Sequence, residues 1–385
     1  MTLKSPEIKF DKEIYAPGET VTGKVIVSTK KDTTVRKVDI TFFGKAVTAW
    51  RTDGKRRNQP VTDHSYKKGE ETYVETKHTA WTPEDDKNTF PAGKYKWKFS
   101  FDLPKECPAS FEGKFGFIRY WVLVHIDVPY WVDSKTEKAI TVLPTVDLNT
   151  VPGAKEPVRV EFNKIMNRCG CLPFLGNSGN VKYTLTSQQS GYVSGDWFQV
   201  AGSIENNSTK SFEWIESSFK KRIVYRKDMR NHLIKSHRSN TNPPDATNSR
   251  IEEKFMEQRT EICDLGPGET KHFDYSFAIP PTCSTIRNCG LISVEYLVTI
   301  QADRWCCDFM EIPKLNIIVG NVPVVEEGKK DPPRRIAQGD RAECWSKYLR
   351  DQKFRYQFPF FGNYDPRVED DSDSADDQEE EEDSD

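Results

Sequence analysis

The chain repeats itself at an offset the size of a domain. Tyr95-Lys-Trp-Lys-Phe-Ser-Phe-Asp-Leu-Pro104 matches Lys271-His-Phe-Asp-Tyr-Ser-Phe-Ala-Ile-Pro280, and Ile118-Arg-Tyr-Trp-Val-Leu-Val-His-Ile-Asp127 matches Val294-Glu-Tyr-Leu-Val-Thr-Ile-Gln-Ala-Asp303. Both pairs are displaced by 176 residues (271 minus 95, 294 minus 118). Cys107 falls on Cys283 in the same register, and Tyr15-Ala-Pro-Gly-Glu19 matches Tyr192-Val-Ser-Gly-Asp196 one residue further along. Solenoid units repeat every 20–50 residues or so, so this spacing is a duplicated domain.

Strand patterns dominate both copies. Val38–Phe42, Tyr95–Phe101, Val158–Phe162, Phe273–Phe277 and Val294–Ile300 alternate apolar and polar residues with period two, which buries one face and wets the other. Turn chemistry lies between them at Pro17-Gly18, Pro91-Ala-Gly93, Pro152-Gly153, Gly266-Pro-Gly268 and Pro280-Pro281. Short strands punctuated by Gly and Pro, without a helical period, predict all-β architecture: two tandem antiparallel immunoglobulin-like β-sandwiches. The stripe Tyr95, Trp97, Phe99 and Phe101 places four aromatics on one face, enough to anchor a core.

The division that follows is 1–145 for the first domain, 146–157 for a Pro- and Gly-containing hinge, 158–323 for the second, and 324–385 for a tail, disordered and acidic at its end. Arg51–Glu75 and His237–Ser249 read as disordered inserts. Residues 369–385 carry twelve Asp or Glu and no Lys or Arg, so the formal charge of -3 conceals a body at +9 (-3 minus -12). The start of the chain lacks the apolar block of a signal peptide, and no run approaches the roughly 20 apolar residues that span a bilayer. The expectation is a soluble cytoplasmic protein whose nine cysteines, an odd number, are free thiols.

At this point the residues resemble a known family. Ile14–Val27, Gly93–Pro104, Pro108-Ala-Ser-Phe-Glu-Gly113 and Ile118-Arg-Tyr-Trp-Val-Leu-Val124 resemble the N-domain of the arrestin fold. Cys169-Gly-Cys171, Gly191-Tyr-Val-Ser-Gly-Asp196, Ile204-Glu-Asn-Asn-Ser208 and Ile317-Ile-Val-Gly-Asn-Val-Pro323 are similar to the C-domain of the α-arrestins, the arrestin domain-containing proteins. The resemblance implies a non-enzymatic cytoplasmic adaptor, peripheral at the plasma membrane or endosomes. Such an adaptor binds cytoplasmic tails of membrane proteins and links them to endocytic or ubiquitin-ligase machinery. The alternative of another class is a structural subunit of an endosomal sorting coat. Many α-arrestins dock WW domains through Pro-Pro-x-Tyr; here Pro332-Pro333 and Pro243-Pro244 carry Arg335 and Ala246 at the tyrosine position, so that route is not expected.

No phosphate loop, nucleophile elbow or His-Glu-x-x-His motif is present, so no catalytic residue and no cofactor is expected. Cys169, Cys171, Cys306 and Cys307 are paired thiols with the donor count of a zinc site, but their spacing departs from the two to four intervening residues of common zinc modules. Lys220, Lys221, Arg222, Arg226 and Lys227 concentrate positive charge on a predicted strand. Such a strand would attract phosphorylated cargo tails or anionic lipid, or is simply an edge that lysines protect from sheet-to-sheet pairing. Nucleic acid is not an expected partner, because the acidic terminus competes for the same charge. That terminus is either a solvated tail or an intramolecular brake, with Ser372 and Ser374 placed for an acid-directed kinase.

Overall fold

Period-two alternation becomes 22 strands and no helix among the residues that the computed structural model describes: 3–51, 66–84, 88–129, 133–167, 177–227, 248–302, 312–325, 332–341, 351 and 353–362. In the N-domain these are β1 (Glu7–Phe10), β2 (Ile14–Tyr15), β3 (Thr20–Thr29), β4 (Thr33–Thr34), β5 (Lys37–Arg51), β6 (Tyr66–Trp81), β7 (Thr89–Phe90), β8 (Gly93–Asp102), β9 (Phe111–Gly113), β10 (Gly116–Asp127) and β11 (Ser134–Val142). The C-domain holds β12 (Val158–Asn167), β13 (Asn177–Ser187), β14 (Gly191–Val193), β15 (Trp197–Ser208), β16 (Phe212–Arg226), β17 (Ser249–Leu265), β18 (Thr270–Ala278), β19 (Ile292–Ala302) and β20 (Lys314–Gly320).

The duplicated sequence is a duplicated topology. One N-domain sheet runs β1-β3-β8 and the other β2-β11-β10-β5-β6; their C-domain counterparts run β12-β13-β15-β18 and β14-β20-β19-β16-β17. In each domain one short strand joins in parallel, β2 on β11 and β14 on β20. Aromatic pairs bridge the two layers: Phe42 on Phe101 at 5.6 Å and Phe198 on Phe219 at 5.2 Å.

The repeat extends to single hydrogen bonds. Tyr120 and Tyr296, one period apart, are fully buried and donate their hydroxyls to Pro108 O (2.8 Å) and Cys283 O (2.5 Å), tying β10 and β19 to the loop that follows the proline of each repeat. Burial is the largest influence on these phenols and raises both pKa values. The matched turns carry Gly18 and Gly195 at φ +82° and +101°, a region that favours glycine. The next residues, Glu19 and Asp196, accept from the backbone N–H of Ala16 and Val193, each at 3.0 Å.

The linker is fastened rather than loose. Asn321 accepts from Val146 N (2.7 Å) and donates to Pro144 O (2.6 Å), Asn149 donates to Pro323 O (2.8 Å), and Leu148 and Ala154 are buried.

Two expectations of disorder need correction. Residues 66–75 of the first insert form the start of β6, which pairs antiparallel with β5 as far as Arg51 opposite Tyr66, so the long β5 has a partner along its length. Residues 52–65 and 237–247 lie outside the described residues. The segment from 324 onward also folds in part: β21 (Arg334–Gln338) and β22 (Gln357–Phe361) form an antiparallel hairpin. Tyr356, Phe358, Phe360 and Phe361 are all less than 10% exposed, and Tyr356 and Phe358 belong to the same connected core as both sandwiches. Its aromatics are therefore core residues supplied late in the chain; the acidic run 369–385 lies outside the described residues.

Truncating one of these aromatics tests the assignment. Tyr356→Ala should lower unfolding free energy by about 3–5 kcal/mol, the range for large buried aromatics, read as a drop in denaturant midpoint. An unchanged midpoint would remove the hairpin from the core.

Candidate partner-binding site

The basic strand predicted from sequence is β16, and it is not an edge. It pairs with β17 on one side and β19 on the other, with Lys220 opposite both Phe255 and Leu297. Lys220 and Lys221 are 7% and 5% exposed. Lys220 Nζ sits 4.6 Å from the Phe255 ring centre and 3.9 Å from Glu253, and Arg222 lies between Glu253 (3.9 Å) and Glu295 (3.8 Å). Arg226 donates to Ser293 Oγ at 3.1 Å; burial pulls its pKa down, with Glu295 opposing. Lys221 reaches Phe111 of the N-domain, 5.7 Å from its ring centre. Of the five, Lys227 alone is exposed, so the lysine-guarded edge is corrected to an interior strand on which Lys220 and Arg222 pair with carboxylates. A period-two pattern of charge cannot separate these cases, because pairing on both sides is a property of the sheet.

Cys169, Cys171, Cys306, Cys307, Ser372 and Ser374 lie outside the described residues. Among the described residues no group of three or more His, Cys, Asp or Glu is arranged to hold a metal. Cys107, Cys263, Cys283 and Cys289 are buried thiols.

What the sequence did not reveal is a polar seam where the two domains and the tail hairpin meet. Arg119 on β10 donates through Nε to Glu112 Oε1 of β9 at 2.7 Å, with Glu112 wholly buried and Arg119 3% exposed. The same guanidinium donates to Asp351 O (3.0 Å) and lies 5.0 Å over Phe354, so it joins β10 to the tail. Gln357 N donates to Thr141 Oγ1 (3.1 Å) and Ala139 N to Asp351 Oδ2 (3.3 Å), which seats the tail along β11. On the C-domain side Phe361 N donates to Ser194 O (2.8 Å) and Lys254 Nζ to Asp340 Oδ2 (2.9 Å). Burial opposes ionisation of Asp340, yet Lys254, Lys221 and Arg355 hold its carboxyl below the usual range. Tyr356 fills the junction, 5.8 Å from Phe111.

Direct contacts between the domains flank the seam. Tyr225 packs edge-on to Phe115 at 5.5 Å, Thr48 donates to Arg226 O (2.7 Å), and Gly290 N donates to Glu71 (3.1 Å). A cleft of about 540 Å³ opens beside them, lined by Glu71, Arg226, Arg287, Asn288, Ser293 and Glu295. Two carboxylates and two guanidinium groups line it.

Two sandwiches hold one another through a buried seam, and their outer strands and faces are left to present surfaces; that defines the class as a tandem β-sandwich scaffold. Residues 6–149 match the family described as "Arrestin (or S-antigen), N-terminal domain", and residues 177–324 match "Arrestin (or S-antigen), C-terminal domain". The chain belongs to the arrestin family, of the arrestin domain-containing type. It is 26% identical over 330 residues to Arrestin domain-containing protein 17 of Caenorhabditis elegans, covering 83% of this chain and 71% of that protein. It is also 30% identical over 212 residues to Thioredoxin-interacting protein of Sus scrofa and 28% over 211 residues to that of Mus musculus. Those two matches cover 54% of this chain and 51% of each relative, so the chain spans about half their length.

Glu112 gives the seam a measurable signature. Burial pushes its carboxyl from 4.5 up to about 7, Arg119 pulling it down and Asp351 adding to the rise, while Oε2 has no hydrogen-bond partner. Between those two values the folded state binds more protons than the unfolded one, so this group makes stability fall as pH rises from about 4.5 to about 7. Glu112→Gln should flatten that fall relative to the parent in denaturant titrations across the window. Arg119→Ala, which removes the charge that holds the Glu112 carboxyl down, should extend that fall in stability to higher pH in the same titrations.

Proposed function

We propose that the protein is a non-enzymatic adaptor that binds cytoplasmic segments of membrane proteins and couples them to endocytic or ubiquitin-dependent trafficking machinery. It would work at the cytoplasmic face of the plasma membrane or endosomes. The observation that carries the reading is the pair of arrestin domains joined by a buried seam, which leaves long strand edges as the accessible recognition elements. β6 and β17, of 16 and 17 residues, each end a sheet and pair on one side only among the described residues. An extended cargo segment can add to such an edge, with backbone hydrogen bonds supplying affinity and side-chain contacts supplying selectivity. β17 also exposes apolar side chains, Ile262 at 90% and Phe255 at 50%, which favours it as the cargo edge. Without a Pro-Pro-x-Tyr motif, ligase recruitment would use surfaces other than a WW-docking tail.

Capture from detergent-solubilised membranes tests this. The full chain should enrich integral membrane proteins, and Ile262→Lys should cut that enrichment about tenfold or more, since it places a charge where an apolar contact is lost. Equal enrichment by both would remove β17 as the cargo edge. No membrane protein enriched by either would overturn the adaptor role.

A further inference from the structure

Five lysines gather on the outer face of the β1-β3-β8 sheet. Lys9, Lys24 and Lys98 occupy adjacent positions on three neighbouring strands, Lys9 opposite Lys24 and Lys24 opposite Lys98. Strands in a sheet are about 4.8 Å apart, and like charges placed directly opposite destabilise it. Lys96 and Lys94 extend the patch along β8, opposite Ile26 and Ser28. Four of the five lysines are exposed and Lys24 is half-exposed. Glu7 pairs with Lys9 at 2.9 Å; Lys24, Lys94, Lys96 and Lys98 have no ion pair among the described residues. Asp11 and Asp102 sit at the far end of the sheet, each accepting from a threonine hydroxyl.

The duplication supplies an internal control. One repeat on, Lys94, Lys96 and Lys98 become Thr270, His272 and Asp274, and Lys24 becomes Ala201, which opposes Asp274 as Lys24 opposes Lys98. On that C-domain face the cations have partners: Arg159 with Glu161 at 2.8 Å and Lys182 with Glu205 at 3.7 Å. The same topology thus tolerates a balanced face, and the fold does not require the lysines. Edge protection accounts for the lysines on β8 and for Lys9 on β1, the two end strands of this sheet, but not for Lys24 on the interior strand.

We propose that this face is a docking surface for an anionic lipid bilayer. The array is all lysine, with no arginine fork to fix a phosphate in one geometry, and it lies on a sheet face rather than in a groove. Mobile point charges on a flat array suit a planar field of headgroups better than one register of a phosphorylated peptide. Docking there would hold the domain against the membrane while the C-domain edges remain free. The proposal does not rest on the cargo reading, since vesicles without protein test it alone.

The experiment is cosedimentation of the full chain with phosphatidylcholine vesicles, with and without phosphatidylserine. The chain should partition onto the serine-containing vesicles only, and raised salt should weaken this. Lys24→Gln/Lys96→Gln/Lys98→Gln, all at exposed or half-exposed sites, should keep the parent's thermal midpoint and lose roughly 100-fold in partition, at about 1 kcal/mol for each lysine. Lys182→Gln/Lys271→Gln on the C-domain should bind like the parent. Indifference of the parent to phosphatidylserine, or equal binding by the triple variant, would overturn the proposal. So would binding of a phosphopeptide or of the acidic terminus to these lysines without vesicle binding.

Discussion

The aromatic and ionic seam at Tyr356 decides how this molecule holds together. Both sandwiches share one connected core, and residues where the domains meet take further partners from the tail. Arg119 needs both Glu112 and the carbonyl of Asp351, and Asp340 is held by Lys254 of β17. A buried guanidinium or carboxylate without a partner costs several kcal/mol, so these groups favour the docked arrangement over any in which the hairpin leaves. The hairpin is thus a wedge shared by two domains, and the fastened linker at Asn321 and Asn149 adds a second tie between the same parts.

With the interior so committed, function falls to the surface, and there the two copies have diverged. Their shared strands, their buried tyrosines and their turn carboxylates coincide, because those features close a sandwich, while β12 adds a fourth strand to the C-domain sheet. Their outer faces differ in charge: lysines stand unopposed on the N-domain, while ion pairs balance the C-domain. Packing constrains interior positions to within about a methylene, whereas solvent-facing positions are free to change with partners.

Much of the fold was legible because β-structure writes itself in period two and duplication writes itself as a register. The stripe Tyr95, Trp97, Phe99 and Phe101 turned inward as its alternation requires, with Phe99 and Phe101 buried and Tyr95 against Phe90 at 4.3 Å. The candidate site was much less legible. Lys220 and Lys221 looked accessible because alternation says nothing about how many strands lie beside β16. Phe354, Tyr356 and Phe358 alternate with Arg355 and Gln357, yet read as tail because the surfaces they pack on lie far away in sequence, and Glu112 and Arg119, seven residues apart, carried no motif.

The amino-acid order alone settled an all-β chain built twice, with turns where Gly and Pro stand and a strongly acidic end, since backbone alternation, turn conformations and charge are local properties. Tertiary structure decided which strand is interior, which late aromatics complete the core, and which lysines stand together without carboxylates. Those are properties of neighbours brought from 70 to more than 200 residues apart, as Lys24 is to Lys98 and Arg119 to Asp351. Their energies exist only once the sheets have closed.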